Sequence, residues 1–267
     1  FTSKKILQYA IILLGFGMNL FEIFRVGSQS LLIIISTIGT ALVVSYAVSR
    51  IMKIDHDIAT LVGVGSSICG GSAIAAAAPV IKASDEDIAQ SISVIFLFNV
   101  IAAFLFPTLG AILGFNDMGF GMWAGTAIND TSSVVAAGQT WASASGSDTA
   151  LNYATIVKLT RTLAIIPICL GLAYLTSKRK ATTSEVKISS IFPMFIIYFL
   201  GASIINTFAG SHFDFFQFLP AIGKFMIAMA MAAIGLNTNL VKLIKTGGKP
   251  ILLGLICWFC IAVVSLA

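Results

Sequence analysis

Lys158-Leu159-Thr160-Arg161 places two cations inside a stretch, 150–176, that is otherwise apolar. At an ideal ~100° per residue, Thr155, Lys158, Arg161 and Thr162 share one helix face within about 120° of arc. A charge at the centre of a membrane span costs at least about 2.5 kcal/mol, so both side chains must face protein or water and find partners there. Lys158 sits ~12 Å from the start of its helix, and Arg161 deeper, which argues against snorkelling from the near end.

Two further stretches can recognise charge with their backbone. Ser66-Ser67-Ile68-Cys69-Gly70-Gly71-Ser72 interrupts the apolar segment 57–82, and Thr126-Ala127-Ile128-Asn129-Asp130-Thr131-Ser132-Ser133 interrupts 118–142. Each reads as two half-helices around a break. The second half-helix begins with free N–H groups and a partial positive charge, a setting that favours anions. Gly70 and Gly71 allow close backbone approach, and Ser72, Ser132 and Ser133 add hydroxyl donors. Ser67, Cys69, Asn129 and Thr131 complete the two candidate binding loops. Asp130 is an intramembrane carboxylate set against the two cations, so the local excess is positive and suits a small anion such as sulfate or a carboxylate. Arg161 can offer that anion a bidentate fork. Asp130 is either the cations' resting partner or a group that takes a proton to drive exchange, so proton or sodium coupling is open. Asn99, in the middle of 86–113, reads as glue between helices.

The elements that carry these residues are transmembrane. Only 10% of the residues are charged, 58% are hydrophobic and the mean hydropathy is +0.99, against about 25% charged in soluble domains. Apolar runs at 6–24, 30–50, 86–113, 150–176, 189–208, 219–241 and 249–267 predict about seven full spans of ~20 residues. The fold class is therefore an all-α polytopic membrane protein, with residues 1–267 forming one transmembrane domain. Despite a net charge of +5, the basic residues sit at the ends of apolar runs and make no face interleaved with exposed aromatics, which excludes nucleic acid as a partner. The partners are the lipid bilayer and a small anion, and a homodimer is left open. The first apolar run lacks a small-residue cleavage site and does not read as a signal peptide.

If both broken segments are re-entrant hairpins, twelve basic residues share one face: Lys4, Lys5, Arg50, Lys53, Lys82, Lys178, Arg179, Lys180, Lys187, Lys242, Lys245 and Lys249. These mark the cytoplasmic side and put the N-terminus of this chain there. With one span between them, the two hairpins enter from opposite faces and their breaks can meet near the midplane. The segments also match each other without gaps, Gly65–Ala78 on Gly125–Gly138. A second likeness links Gly17-Met18-Asn19 and Leu20–Gly27 with Gly235-Leu236-Asn237 and Leu240–Gly247. Broken helices at matched positions are the mark of inverted-repeat secondary transporters.

Catalysis lacks residues to perform it. His56 and His212 lie in loops, and neither zinc-ligand spacing, a G-x-S-x-G elbow nor a phosphate-binding loop occurs. The four cysteines, Cys69, Cys169, Cys257 and Cys260, all fall in apolar stretches and imply no disulfide framework. No metal and no cofactor is expected, and the chain is not read as an enzyme. The pairs Gly110/Gly114 and Gly121/Gly125 are packing signals.

Ser67–Lys82, Trp123–Gly138, Val157–Arg161 and Met229–Thr238 occur in this order along the chain, and together they resemble the bacterial YeiH-type family of conserved membrane proteins, labelled sulfate exporters. The resemblance implies a multi-pass inner-membrane transporter with about ten or eleven helices. Many members have His-Asp where this chain has Asn129-Asp130, which removes a proton-carrying histidine from that position. The expected function is a secondary transporter, exporter or exchanger, of a small anion such as sulfate or an organic sulfonate or carboxylate. Residues 57–176 are the candidate transport bundle, and 1–56 and 189–267 are the candidate scaffold. A passive anion channel, or a thiol-redox sensor using Cys69, are the alternatives.

Overall fold

Capping side chains set where the helices start. The computed structural model describes residues 2–180, 194–209, 218–223, 225–226, 229 and 248–266. After α1 (Thr2–Gly15), Asn19 accepts the Phe21 N–H and opens α2 (Leu20–Met52), and Asp55 accepts the Asp57 N–H and opens α3 (His56–Ser67). Beyond α4 (Gly71–Ile81), Ser84 opens α5 (Asp85–Ile112) and Asn116 opens α6 (Asp117–Ala127) in the same manner. Such oxygens satisfy N–H groups that a first turn leaves without partners. There follow α7 (Thr131–Ser145), α8 (Thr149–Thr162), α9 (Ile165–Lys180), α10 (Met194–Ala209) and α11 (Gly248–Val264). Among the described residues there is no strand.

Among the described residues, three stretches, Leu20–Met52, Asp85–Ile112 and Thr149–Thr176, are long and apolar enough to cross a membrane. On α2, Phe21, Phe24, Leu32 and Ile35 are 66–77% exposed. An apolar outer face of this kind suits lipid and not water.

Both broken segments turn back to the end they came from. Asp55 and Asp57 lie at the α2–α3 turn and Asp87 at the start of α5, and ligand oxygens of these three lie within 4.8 Å of one another. The α3–α4 hairpin thus leaves from and returns to one end of α5, and Lys82 shares that end with Arg50 and Lys53. At the opposite end Trp141, late in α7, donates its Nε1–H to Asp117 at 2.8 Å, and its ring stacks on Phe120 at 4.1 Å. The α6–α7 hairpin closes there. The tips meet at the middle of α5, where Asn99, about 21 Å along the helix, accepts the Asp130 N–H at 3.2 Å. A β-carbon placed on Gly70 of the other tip would lie 3.4 Å from Asn99 Nδ2.

Glycines set the approach of α6 to α8. A β-carbon on Gly121 would meet Tyr153 Cβ at 2.8 Å, and one on Gly125 would meet Val157 Cβ at 2.8 Å and the Ala154 carbonyl at 2.9 Å. Gly110 takes the edges of Phe120 and Trp141, whereas Gly114, with φ +70°, faces open space and turns the chain after α5. Of the two glycine pairs, only Gly121/Gly125 packs with both members.

One expected span is corrected, and another keeps its extent but is interrupted. The run 6–24 is not one helix: α1 stops at Gly15, the chain turns, and α2 starts after its Asn19 cap and continues through 25–29. The expected spans 6–24 and 30–50 leave these residues between them, but Gly27 stays helical and packs on Thr160 Oγ1, 3.1 Å from where its β-carbon would be. The run 150–176 is divided after Thr162, because Pro167 has no N–H to offer the Leu163 carbonyl. Ile166 takes that carbonyl instead, at 3.2 Å, in a tightened turn. Residues 189–193, most of 219–241, and the second copy of the terminal likeness, 235–247, lie outside the described residues.

Gly125→Ala is expected to force α6 off α8, with an overpacking cost of about 1–3 kcal/mol. A lowered melting temperature of the detergent-purified protein checks this. An unshifted melt would show that the two helices separate freely.

Candidate functional site

Helix α8 ends beside both hairpin tips, and its two cations are 0% exposed. Lys158 Nζ donates to the Ile68 carbonyl at 2.7 Å and to the Ile128 carbonyl at 2.9 Å. Arg161 Nε donates to the Ser67 carbonyl at 2.7 Å. Its Nη1 donates to the Thr126 carbonyl and its Nη2 to the Ser66 carbonyl. All five acceptors belong to the last turn of α3 or α6, or to the residue just beyond it. Carbonyls at a helix C-terminus have no intrahelical partner and carry about half a negative charge. The cations supply what these two buried ends lack.

The contacts follow the sequence match of the two hairpins. In the ungapped match of the hairpins, Ile68 corresponds to Ile128 and Ser66 to Thr126. Lys158 binds the first pair of matched carbonyls and Arg161 the second. The sequence assigned Lys158 and Arg161 to holding an anion, with Asp130 set against them and one positive charge in excess. The structure commits two of the three lysine N–H donors and three of the five guanidinium donors to backbone. Thr155 and Thr162, on the same face, are also buried and return their hydroxyls to carbonyls of their own helix.

The second half-helices differ from each other. Asp130 caps α7, its Oδ2 accepting the Ser132 N–H at 3.0 Å and the Ser132 hydroxyl. The matched residue on the other tip is Gly70, at φ +69° and ψ −126°, and α4 has no side-chain cap. That backbone conformation favours glycine. Gly71 borders open space, and Ser72, the counterpart of Ser132, is exposed. Thr131 is half-buried, and Ser133 lies inside at 5% exposure. Ser67 turns its hydroxyl back to the Val64 carbonyl at 3.0 Å, so its carbonyl and not its side chain serves the cations. Cys69 is buried at 3% exposure.

Two carboxamides lie at the crossing. Asn99 offers Oδ1 to the Asp130 N–H, while its Nδ2 has no hydrogen-bond partner among the described residues. Asn129, 1% exposed, has a partner there for neither of its amide atoms. Buried polar groups are nearly always hydrogen-bonded, so these amide atoms stand out at the crossing. Asn99, read as glue from the sequence, does bridge two elements and also keeps a donor in reserve. The carbonyls of Ser66, Ser67, Ile68, Thr126 and Ile128 are functional groups that the sequence reading did not name; the matched positions of the repeat were the only signal for them. In formal charge the crossing holds two cations and one carboxylate. The half-charges of two C-termini and two N-termini cancel in the sum, so an excess of one positive charge remains.

A family model described as Conserved hypothetical protein 698 matches residues 1–254. A UPF0324 membrane protein of Streptococcus pyogenes serotype M3 is 58% identical over 273 residues, which cover 100% of this chain and 80% of that protein. Another, of Fusobacterium nucleatum, is 56% identical over 281 residues, 100% of this chain and 81% of its own. A third, of Streptococcus mutans, is 57% identical over 274 residues, with 100% and 80% covered. No solved structure matches the chain.

Lys158→Met would keep the bulk of the side chain but leave the Ile68 and Ile128 carbonyls buried without a donor, at about 1–3 kcal/mol each. Arg161→Lys would lose the fork that reaches both tips at once. Both variants are expected to melt below the wild type in detergent, while Ser143→Ala, on the exposed face of α7, melts with it. Equal melting of all four proteins would mean that the staple contributes nothing.

Proposed function

Because the chain belongs to the family of conserved hypothetical protein 698, whose relatives are membrane proteins, we propose that it is a secondary carrier of a small anion working by alternating access. The YeiH-type resemblance of its four motifs is borne out by that membership. One observation carries the proposal: two oppositely directed hairpins meet halfway along α5, with both breaks tied to the same buried cation pair. Non-helical backbone at membrane depth is tolerated only where protein or a water-filled cavity surrounds it. A site at such a crossing is reached from either face by small changes on one side or the other.

The sign of the cargo follows from the charge at the crossing, one positive in formal excess, and from two half-helix N-termini directed at it. Sulfate and organic sulfonates or carboxylates are the substrate class, moved by export or exchange. Helices α3 to α9 form the moving bundle, tied together by the staple, and α1, α2, α10 and α11 form the scaffold it moves against. The protein lies in the bacterial inner membrane with the N-terminus of this chain cytoplasmic, since Arg50, Lys53 and Lys82 share one end of the fold. Asp130, already bound to the α7 N-terminus, is the group through which a coupled proton acts. The thiol-sensor alternative has less support, because Cys69 is 3% exposed.

Full-length protein in liposomes is expected to take up radiolabelled sulfate, methanesulfonate or acetate with saturation and to be accelerated by the same anion on the far side. Arg161→Lys is expected to lose at least nine-tenths of this flux, roughly one lost charge-assisted hydrogen bond. Flux without trans-stimulation would make the protein a channel, and no flux of any of the three would remove anion transport altogether.

A further inference from the structure

The two hairpin tips treat their second half-helices differently, and the difference defines a ligand site. At α7 the chain supplies its own anion: Asp130 Oδ2 takes both the backbone N–H and the hydroxyl of Ser132. At α4 the matched pair is Gly70 and Ser72, and Gly70 has no side chain to offer. Ser72 is exposed, and the Gly71 side of the turn borders open space. We propose that the transported oxyanion caps α4 as Asp130 caps α7. One oxygen accepts from the Ser72 N–H and hydroxyl, and a second accepts from Asn99 Nδ2.

An independent feature points to the same place. Asn99 is 2% exposed, and its Nδ2 has no partner among the described residues. Its Oδ1 is engaged with the Asp130 N–H of the opposite tip, which fixes the amide so that Nδ2 is the end directed at Gly70. A β-carbon on Gly70 would come 3.4 Å from that nitrogen, so the bare glycine keeps the path between Asn99 and the α4 N-terminus clear. Asp130 also borders this point, its β-carbon 3.5 Å from where a β-carbon on Gly70 would lie, but its Oδ2 is turned to Ser132. The donors offered here, Asn99 Nδ2 and the Ser72 N–H and hydroxyl, come from two separate elements and suit a species with at least two acceptor oxygens on one centre, which is a carboxylate, a sulfonate or sulfate and not a halide. Lys158 and Arg161 lie behind the loop, bound to the carbonyls that precede it, and act on the anion through their field while their donors hold the tips together.

This placement rests on the anion-carrier reading and adds to it the atoms and the oxyanion class. Purified full-length protein in detergent is titrated by calorimetry with sodium sulfate, sodium methanesulfonate, sodium acetate and, at equal ionic strength, sodium chloride. At least one of the oxyanions is expected to bind, and chloride at least tenfold more weakly. Ser72→Ala removes one donor, and Asn99→Asp keeps the acceptor for the Asp130 N–H while replacing the free donor by an acceptor. Each is expected to weaken oxyanion binding roughly ten- to a hundredfold, with the melting temperature measured alongside as the check on folding. Should Asn99→Asp fail to fold, Ser72→Cys serves: its mixed-disulfide formation with an anionic thiosulfonate, which releases the sulfinate, is measured above the wild-type background and is expected to slow when the bound oxyanion is added. Unchanged affinity in Ser72→Ala and Asn99→Asp, or unprotected disulfide formation at Ser72→Cys, overturns this placement and leaves the carrier reading standing. Absence of both binding and flux for all three oxyanions in the wild-type protein overturns the carrier reading and the placement with it.

Discussion

Two helix C-termini lie inside this fold at a depth where no bulk water reaches them, and Lys158 and Arg161 bind both. A carbonyl left without a donor in such a place costs several kcal/mol, and a lone cation costs more. Each problem is the other's solution. The staple works on both tips because matched carbonyls, Ile68 with Ile128 and Ser66 with Thr126, converge on one cation each. Neither half-helix of a pair could end where it does without the partner hairpin beside it, so the hairpins and α8 form one structural unit.

The packing around the staple serves its position. Small residues let α6 lie directly on α8, through Gly121 and Gly125, and so bring the end of α6 within reach of side chains that start on α8. Asn99 fixes the crossing from a third element by binding the Asp130 N–H, and the aromatic stack of Phe120 on Trp141 closes the second hairpin at its open end. These contacts hold the tips at mid-depth while leaving the start of α4 lined by glycine and serine.

The likeness of the two hairpins and its local failure have different uses here. Carbonyls at matched sequence positions come together at the tips, so that one side chain bridges each pair. The exchange of Asp130 for Gly70 at equivalent caps makes the tips chemically unlike. One N-terminus has its partial charge met by the chain's own carboxylate, and the other presents N–H and hydroxyl groups to whatever reaches it. A site whose donors are all met internally has nothing to bind with.

Composition and hydropathy were enough to establish an all-α membrane protein, since a chain with so few charges cannot be solvated by water along its length. The two breaks were legible because small and polar residues cannot continue a lipid-facing span, and Lys158 and Arg161 stood out because a charge in an apolar run requires a partner. The Asn19 cap was less legible, for an asparagine inside an apolar run looks like any other polar interruption until the chain is seen to turn there. What the cations bind was hinted at only by the match of the two hairpins. Every residue has a carbonyl whatever its side chain, so a hydrogen bond from Lys158 to the Ile68 and Ile128 backbone leaves no trace in residue identity. The sequence determined that two positive charges are buried beside two helix breaks. Only the tertiary structure decided that they face the carbonyl ends and leave the donor end of α4 open, because that depends on which way each half-helix points when the hairpins meet.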